Sequence, residues 1–190
     1  MRPVALMVGR LNPITRGHEA LYEQLMFQAE LHGMRPVVFI VDGFKSGKDA
    51  SQNPLTAEQR KTIAKKAFPG AYVDVVSNAY EVIDVLQVQG YKPGVWVAGS
   101  DRVQGYKKLL KSANSDGVVI EVDRDAGEAK GVSATKARDA AREGNLALFG
   151  SYMPKSFDRQ LIADLMMQIC SQIGDGDGTT NKRKGGRTSG

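Results

Sequence analysis

Five short apolar runs, rich in β-branched side chains, recur along the chain between longer segments of mixed character. They occupy residues 4–8, 37–41, 72–76, 95–98 and 118–122. Runs of this length suit strands better than helices, and runs that are mostly free of charge are typical of strands buried on both faces. The pattern therefore predicts a parallel sheet that is covered by other elements on each side.

Segments with helical periodicity separate these runs. They lie at residues 18–32, 56–68, 82–88, 106–110, 133–142 and 157–173. Two of them begin with a recognisable cap, since Thr56 and Gln59 have the spacing of a capping box and Ser133 precedes an Ala-rich segment. The alternation predicts a doubly wound α/β domain with a parallel sheet of about five strands and helices on both faces. In such folds a ligand binds at the carboxyl ends of the strands, where the strand order reverses.

The length and charge of the chain refine this picture. The 190 residues suit one domain over residues 1–173, followed by a Gly-rich basic tail, residues 174–190, that we expect to be disordered. The formal net charge is +5, and the tail contributes four basic and two acidic residues to it. The remaining body is only mildly basic, which suits a nucleoside triphosphate as well as a nucleic acid. Nucleic-acid binding is therefore expected only through the tail.

Other features exclude several classes of protein. No apolar stretch approaches the roughly 18 residues of a membrane span, and the first residues carry no secretory cleavage pattern. The single cysteine, Cys170, can form neither an intramolecular disulfide nor a zinc site alone, and we interpret it as a core residue. We therefore expect a cytoplasmic protein without a membrane partner.

The first motif that carries chemistry follows the first apolar run. It reads Gly-Arg-Leu-Asn-Pro-Ile-Thr-Arg-Gly-His over residues 9–18. Gly9 lets the chain turn, Gly17 allows a ligand to approach the backbone, and His18 falls in the first turn of a predicted helix. Free amide groups and the helix dipole attract an anion there, and an imidazole that is cationic or donates a hydrogen bond suits a phosphate.

A second motif opens the predicted helix that begins near residue 133. It reads Val-Ser-Ala-Thr-Lys-Ala-Arg over residues 132–138. Hydroxyl groups and free amides at a helix N-terminus bind phosphate oxygens, and the planar guanidinium of Arg138, about one and a half turns further on, can reach the same anion. Taken alone, this pattern also fits a capped and solvated helix.

Together the two motifs resemble those of the nucleotidylyltransferase superfamily, G-x-F-x-P-x-[HT]-x-G-H and I-S-x-T-x-x-R. Leu11 replaces the usual Phe, Val132 replaces Ile, and Thr15 stands where many members have His but phosphopantetheine adenylyltransferases have Thr. The resemblance implies a Rossmann-like fold in which His18 and Arg138 contact the triphosphate and stabilise the transition state. The nucleotide-binding residues that it implies are Gly9, Arg10, Leu11, Asn12, Thr15, Gly17, His18, Gly99, Asp101, Val132, Ser133, Thr135 and Arg138.

Two other loops, each at the end of a predicted strand, contain further candidate site residues. Residues 99–101, Gly-Ser-Asp, resemble the G-x-D loop that holds the ribose and base in these enzymes, although Asp101 suits a helix N-cap equally well. Residues 42–48 form a basic loop that is not a P-loop, because an acidic residue stands where Ser or Thr is needed. Lys45 and Lys48 are candidate catalytic cations that would neutralise the transition state, and a solvated loop is the alternative.

Two further residues are candidates for binding an acceptor. Residues 53–60, Asn-Pro-Leu-Thr-Ala-Glu-Gln-Arg, look like the N-P-[FL]-T-x-x-[EQ]-R segment of archaeal-type nicotinamide mononucleotide adenylyltransferases. This likeness makes Arg60 a candidate ligand of an acceptor phosphate, with an exposed arginine on a capped helix as the alternative. Trp96 is a candidate to stack on the acceptor base, with burial in the sheet as the favoured alternative.

The resemblance predicts an adenylyltransferase that moves AMP from ATP onto the phosphate of a small acceptor and releases pyrophosphate. Nicotinamide mononucleotide (NMN), which would give NAD, is the leading acceptor. Phosphopantetheine adenylylation and cytidylyl transfer are alternatives within the class, and a non-catalytic nucleotide- or nucleic-acid-binding protein is an alternative outside it. Mg²⁺ is expected, held mainly by the triphosphate and not by metal ligands of the protein. A homo-oligomer is common in the family.

Overall fold

The computed structural model describes residues 1–43, 53–124 and 127–176, and within them strands and helices alternate as predicted. The five strands are β1 (Arg2–Gly9), β2 (Arg35–Val41), β3 (Tyr72–Val76), β4 (Tyr91–Gly99) and β5 (Val118–Val122). They form one sheet in the order β3-β2-β1-β4-β5, and every neighbouring pair is parallel. The predicted doubly wound parallel α/β fold is therefore confirmed.

Helices connect the strands and extend the chain beyond β5. They are α1 (Arg16–His32), α2 (Ala57–Ala67), α3 (Glu81–Val88), α4 (Val103–Ser112), α5 (Ala134–Arg142), α6 (Leu146–Tyr152) and α7 (Arg159–Gly176). The short helix α6 was not predicted, because seven residues make too few turns to show a periodicity. Helix α7 runs three residues past the predicted domain end at residue 173, and residues 177–190 lie outside the described residues.

The predicted caps form with the expected hydrogen bonds. Thr56 Oγ1 accepts from the Gln59 amide at 3.1 Å, and Gln59 Oε1 accepts from the Thr56 amide at 2.9 Å. Ser133 Oγ accepts from the Lys136 amide at 3.1 Å. Each cap satisfies amide groups that would otherwise lack a partner and stabilises its helix by about 1 kcal/mol. Local sequence thus fixes where α2 and α5 begin.

The apolar runs are unbroken because both faces of the sheet are buried. Successive residues of a strand point to opposite faces. Ala5 and Met7 belong to the core beneath α1, α2, α5 and α7, whereas Val4, Leu6 and Val8 belong to the core beneath α3 and α4. Every position of β1 from residue 4 to residue 8 is therefore apolar.

The strand order reverses between β1 and β4, the two central strands that lie side by side. The chain leaves β1 toward one edge of the sheet and leaves β4 toward the other, so their carboxyl ends open a crevice at Gly9 and Gly99. None of the helices among the described residues is long and apolar enough to cross a membrane.

Candidate functional site

A cavity of about 860 Å³ opens at the carboxyl ends of the central strands, as the topology predicts. Both sequence motifs contribute to its wall, although they lie more than a hundred residues apart. The predicted nucleotide-binding residues that line it are Gly9, Arg10, Leu11, Asn12, Thr15, Gly17, His18, Asp101, Val132, Ser133, Thr135 and Arg138. Gly99 lies beside the cavity at the end of β4, and the Arg124 side chain packs over it. The structure thus brings the two motifs into a single site.

His18 lies in the first turn of α1, with its ring held by the residue that caps the helix. The Thr15 backbone amide donates to His18 Nδ1 at 3.0 Å. Because an amide can only donate, Nδ1 is the acceptor and the proton of the neutral ring lies on Nε2. Burial, and second the positive charge of Arg124, lower the pKa of His18 to about 3. In the free protein the ring is therefore a neutral hydrogen-bond donor and not a cation.

Arg138 joins the second motif to the first. Its Nη1 donates to the Asn12 carbonyl oxygen at 2.9 Å, and its Nη2 donates to Thr135 Oγ1 at 3.2 Å. Burial is the main cause that holds the pKa of Arg138 below its usual value. An arginine keeps its charge despite such a shift, so Arg138 presents a fixed cation at the cavity.

The cavity wall is rich in positive charge. Among the described lining residues, four are arginines (Arg10, Arg102, Arg124 and Arg138) and two are aspartates (Asp101 and Asp123). Burial and then the charge of Arg102 lower the pKa of Arg10, and the charge of Arg10 in turn lowers the pKa of Arg138. Like charges that face one another across a cavity favour a bound polyanion, which removes their repulsion.

Arg60 is buried and does not present its guanidinium to the cavity, being 1% exposed. Its donors go to the loops that follow β1 and β2: Nη1 donates to the carbonyl oxygens of Arg10 at 2.8 Å and Val41 at 2.7 Å, and Nη2 to that of Asp42 at 3.1 Å. Nε donates back to the Thr56 carbonyl oxygen at 3.3 Å, and Nη2 also contacts Asp42 Oδ1 at 3.4 Å. The guanidinium therefore donates to protein atoms. This arrangement differs from both expectations for Arg60, which were contact with an acceptor phosphate and exposure on the surface of a capped helix.

Trp96 is also buried, with no exposed surface, in the core beneath α3 and α4. Its ring stacks on Tyr106, with centroids 4.3 Å apart and an interplanar angle of 21°. Tyr106 lines the cavity, so a ligand can reach its ring, whereas the buried Trp96 packs against it. The favoured alternative for Trp96, burial in the sheet, is confirmed.

Asn12 fixes the segment that enters α2. Its Oδ1 accepts from the Leu55 amide at 3.0 Å, its Nδ2 donates to the Leu55 carbonyl oxygen at 3.2 Å, and Nδ2 also contacts Asn53 Oδ1. Asn53 Nδ2 in turn donates to the Asp42 carbonyl oxygen at 3.2 Å. The residues that flank positions 44–52 are thus anchored at the site. Lys45 and Lys48 lie outside the described residues, and their role stays a prediction.

Sequence reasoning missed several residues that line the cavity, among them Arg124 and Tyr106. Arg124 lies two residues after β5, and Tyr106 lies in the first turn of α4. Both follow strands whose carboxyl ends were already predicted to meet the ligand, so the strand-end rule could have found them. Their side chains could not be chosen from the sequence, because neither belongs to a recognised motif.

Two carboxylates in the described wall of the cavity suit a magnesium ion of the kind that substrate phosphates mainly hold. Among the described residues, no group of three or more His, Cys, Asp or Glu side chains could hold a metal. Mg²⁺ usually keeps several waters and binds one or two carboxylates together with substrate phosphates. Asp101 and Asp123 are the carboxylates in the described wall of the cavity that could take this part.

The fold and the site together define a nucleotide-binding α/β protein of the doubly wound class. The sequence matches the family model described as cytidylyltransferase-like over residues 6–140, more than half of the chain. The chain belongs to this family, within the nucleotidyltransferase superfamily, and the resemblance read from the motifs is confirmed. No curated protein matches the sequence.

The solved structures that share the fold include the following two. One is a macrolide-efflux protein from Streptococcus pneumoniae, with a TM-score of 0.57 and 19% identity over 80% of this chain and 55% of that chain. The other is Thermotoga maritima TmcAL bound to alpha-thio ATP, with a TM-score of 0.57 and 14% identity over 93% of this chain and 57% of that chain. The chain thus spans a little over half the length of these proteins, and the likeness extends to the fold alone.

Proposed function

We propose that the protein transfers AMP from ATP to the phosphate of a small acceptor and releases pyrophosphate, with NMN as the first acceptor to try. The observation that carries the proposal is the junction of the two motifs, where Arg138 of the second donates to the Asn12 carbonyl oxygen of the first. It supports one phosphate site that is shared by His18 and Arg138. ATP as the nucleotide is supported by the alpha-thio ATP that is bound to the structurally similar TmcAL.

The reaction needs no base from the protein. An oxygen of the acceptor phosphate attacks the α-phosphorus in line, a new P–O bond forms, and the bond to the bridging oxygen of pyrophosphate breaks. The acceptor phosphate is already an anion, so no proton has to be removed. The protein therefore contributes position and positive charge.

The position of each residue in the cavity indicates what it would contribute to the reaction. His18 would donate from Nε2 to the phosphate oxygens on which charge increases, and Arg138 would bind the same group with two parallel donors. The free amides at the N-termini of α1 and α5 would add further donors. Mg²⁺ bound through the phosphate oxygens, with Asp123 nearby, would neutralise the charge of the pyrophosphate.

In this proposal the acceptor binds to a separate part of the cavity wall. Ser77 and Asn78 follow β3, and Arg102 and Tyr106 belong to the start of α4. Arginine suits an acceptor phosphate, and a tyrosine ring suits a flat base or ring. This set replaces Arg60 and Trp96 as the proposed acceptor-binding residues.

The test is pyrophosphate release from ATP and Mg²⁺ with NMN, phosphopantetheine, FMN or no acceptor. Release that requires NMN supports the full proposal, and release with another acceptor replaces the substrate but keeps the reaction. A parallel set with CTP tests cytidylyl transfer, the second candidate, which the description of the matching family favours. ATP binding without release in any arm would contradict the proposed reaction and favour a binding protein.

A further inference from the structure

Arg124 lies across the carboxyl end of β4, in space that only a glycine leaves open. A Cβ atom added to Gly99 would lie 2.8 Å from Arg124 Cζ and 2.9 Å from Arg124 Nη2, and closer still to Nε. At the other end of the side chain, a Cβ on Gly17 would lie 3.9 Å from Arg124 Cβ. The Arg124 side chain thus extends from the N-terminus of α1 to the end of β4.

The carboxylate of Asp101 holds the guanidinium in this position. Arg124 Nη2 donates to Asp101 Oδ1 at 2.8 Å, and the side chains are 37% and 59% exposed. Ion pairs of such exposure contribute little to stability, because both groups remain partly hydrated. A ligand with more negative charge can therefore displace Asp101 at little cost.

The position of Arg124 within the cavity indicates what that ligand is. On one side lie Gly17 and His18, where the helix N-terminus favours phosphate. On the other side lies Asp101, a carboxylate suited to a hydroxyl or amino group of a nucleotide. Arg124 therefore extends from a helix N-terminus that suits phosphate, beside its Cβ, to the carboxylate of Asp101, beside its guanidinium.

We propose that Arg124 binds the triphosphate of the nucleotide, and that Asp101 holds it in the ligand-free protein and releases it when the nucleotide enters. This inference rests on the proposed function and adds a substrate-binding residue to it. The guanidinium exchanges one carboxylate for phosphate oxygens that accept two parallel hydrogen bonds. Asp101, once released, accepts from the nucleoside. Asp101 therefore weakens the binding of a phosphate chain that has no nucleoside attached.

The experiment measures the affinity of the full chain for inorganic tripolyphosphate by titration calorimetry. Arg124→Gln should weaken binding about tenfold, because two charge-assisted hydrogen bonds are lost. Asp101→Asn should strengthen it about threefold, because the competing carboxylate is gone. The double variant should bind like Arg124→Gln. Lys92→Gln and Asp116→Asn are the matched controls, since they break an exposed pair of 3.1 Å at the amino ends of β4 and β5 and should change nothing.

Binding of adenosine distinguishes the role of Asp101 from that of Arg124. Adenosine carries no phosphate, so its affinity should fall in Asp101→Asn and stay unchanged in Arg124→Gln. Arg124→Lys keeps the charge without the planar fork and should give an intermediate affinity for tripolyphosphate, which keeps the test valid if the glutamine variant does not fold.

Two results would overturn the inference. One is a folded Arg124→Gln variant that binds tripolyphosphate as the wild type does. The other is an Asp101→Asn variant that loses tripolyphosphate affinity as strongly as Arg124→Gln, since Asp101 would then support the phosphate site and not compete with it. By contrast, a wild-type protein that binds ATP and tripolyphosphate but transfers AMP to no acceptor would contradict the proposed reaction and leave Arg124 as a nucleotide-binding residue.

Discussion

Arg138 Nη1 donates a hydrogen bond of 2.9 Å to the carbonyl oxygen of Asn12, across 126 positions of the chain. This bond places the helix that carries the second motif against the loop that carries the first. Arg138 also lines the cavity. It therefore both joins the two motifs and can donate to a bound phosphate. Two substitutions separate the contribution of the positive charge from that of the planar guanidinium.

Arg138→Lys should keep the positive charge but lose the fork, and it should lower kcat about tenfold. Arg138→Gln loses the charge as well and should lower kcat about a hundredfold or more. Steady-state kinetics with the active acceptor measure both. Arg142→Gln, on the same helix but in an exposed pair with Asp139, is the matched control and should retain kcat. Equal activity in Arg138→Gln and Arg142→Gln would exclude a role for Arg138 in the reaction.

The low pKa of His18 predicts that acid destabilises the protein. The pKa is about 3 in the folded state and 6.5 in a free histidine, so between these values the unfolded chain binds a proton that the folded chain does not. Stability therefore rises with pH over this window, and from pH 7 to pH 5 the free energy of unfolding should fall by about 2 kcal/mol from this residue. Urea denaturation of wild type and His18→Gln at both pH values measures it. A pH dependence that is identical in the two proteins would show that His18 is protonated normally.

Arg60 should contribute to the stability of the fold and not to the binding of the acceptor. Arg60→Met would leave the buried carbonyl oxygens of Arg10 and Val41 without their donor, and it should lower the free energy of unfolding by about 2–4 kcal/mol. Chemical denaturation measures this loss, and Arg142→Met, an exposed arginine, should stay within about 0.5 kcal/mol of the wild type. If Arg60→Met instead kept wild-type stability and raised only the KM for the acceptor, Arg60 would be an acceptor ligand.

Substitutions at Tyr106 and Trp96 should differ in their effect on acceptor binding, because Tyr106 lines the cavity and Trp96 does not. Tyr106→Leu removes the ring that lines the cavity and should raise the KM for an acceptor with a flat ring about tenfold. Trp96→Phe changes only the buried partner, so KM should change less than twofold. The fluorescence of Trp96, the only tryptophan in the chain, should also respond to acceptor binding in the wild type. A larger KM effect in Trp96→Phe than in Tyr106→Leu would place the acceptor elsewhere.

Much of the fold was predictable because local sequence determines it. β3 and β5 have the bounds of their apolar runs, and Thr56 and Ser133 cap the predicted helices. Arg60 and Arg124 were not predictable in the same way, since their roles depend on which chain segments the folded sheet brings near them. A sequence motif shows that an arginine is present, but only packing decides whether its donors meet the backbone or the cavity.

In the proposed reaction the α-phosphate of ATP, with its nucleoside, moves to an acceptor phosphate at His18. We would incubate the protein with ATP labelled at the α-phosphorus, Mg²⁺ and NMN, and follow the label with time in the wild type and in His18→Ala. The label should appear in a dinucleotide while unlabelled pyrophosphate is released, and His18→Ala should lower this rate at least a hundredfold while remaining folded. Label that never reaches the dinucleotide would contradict the transfer to NMN, and a His18→Ala variant with the wild-type rate would contradict the site.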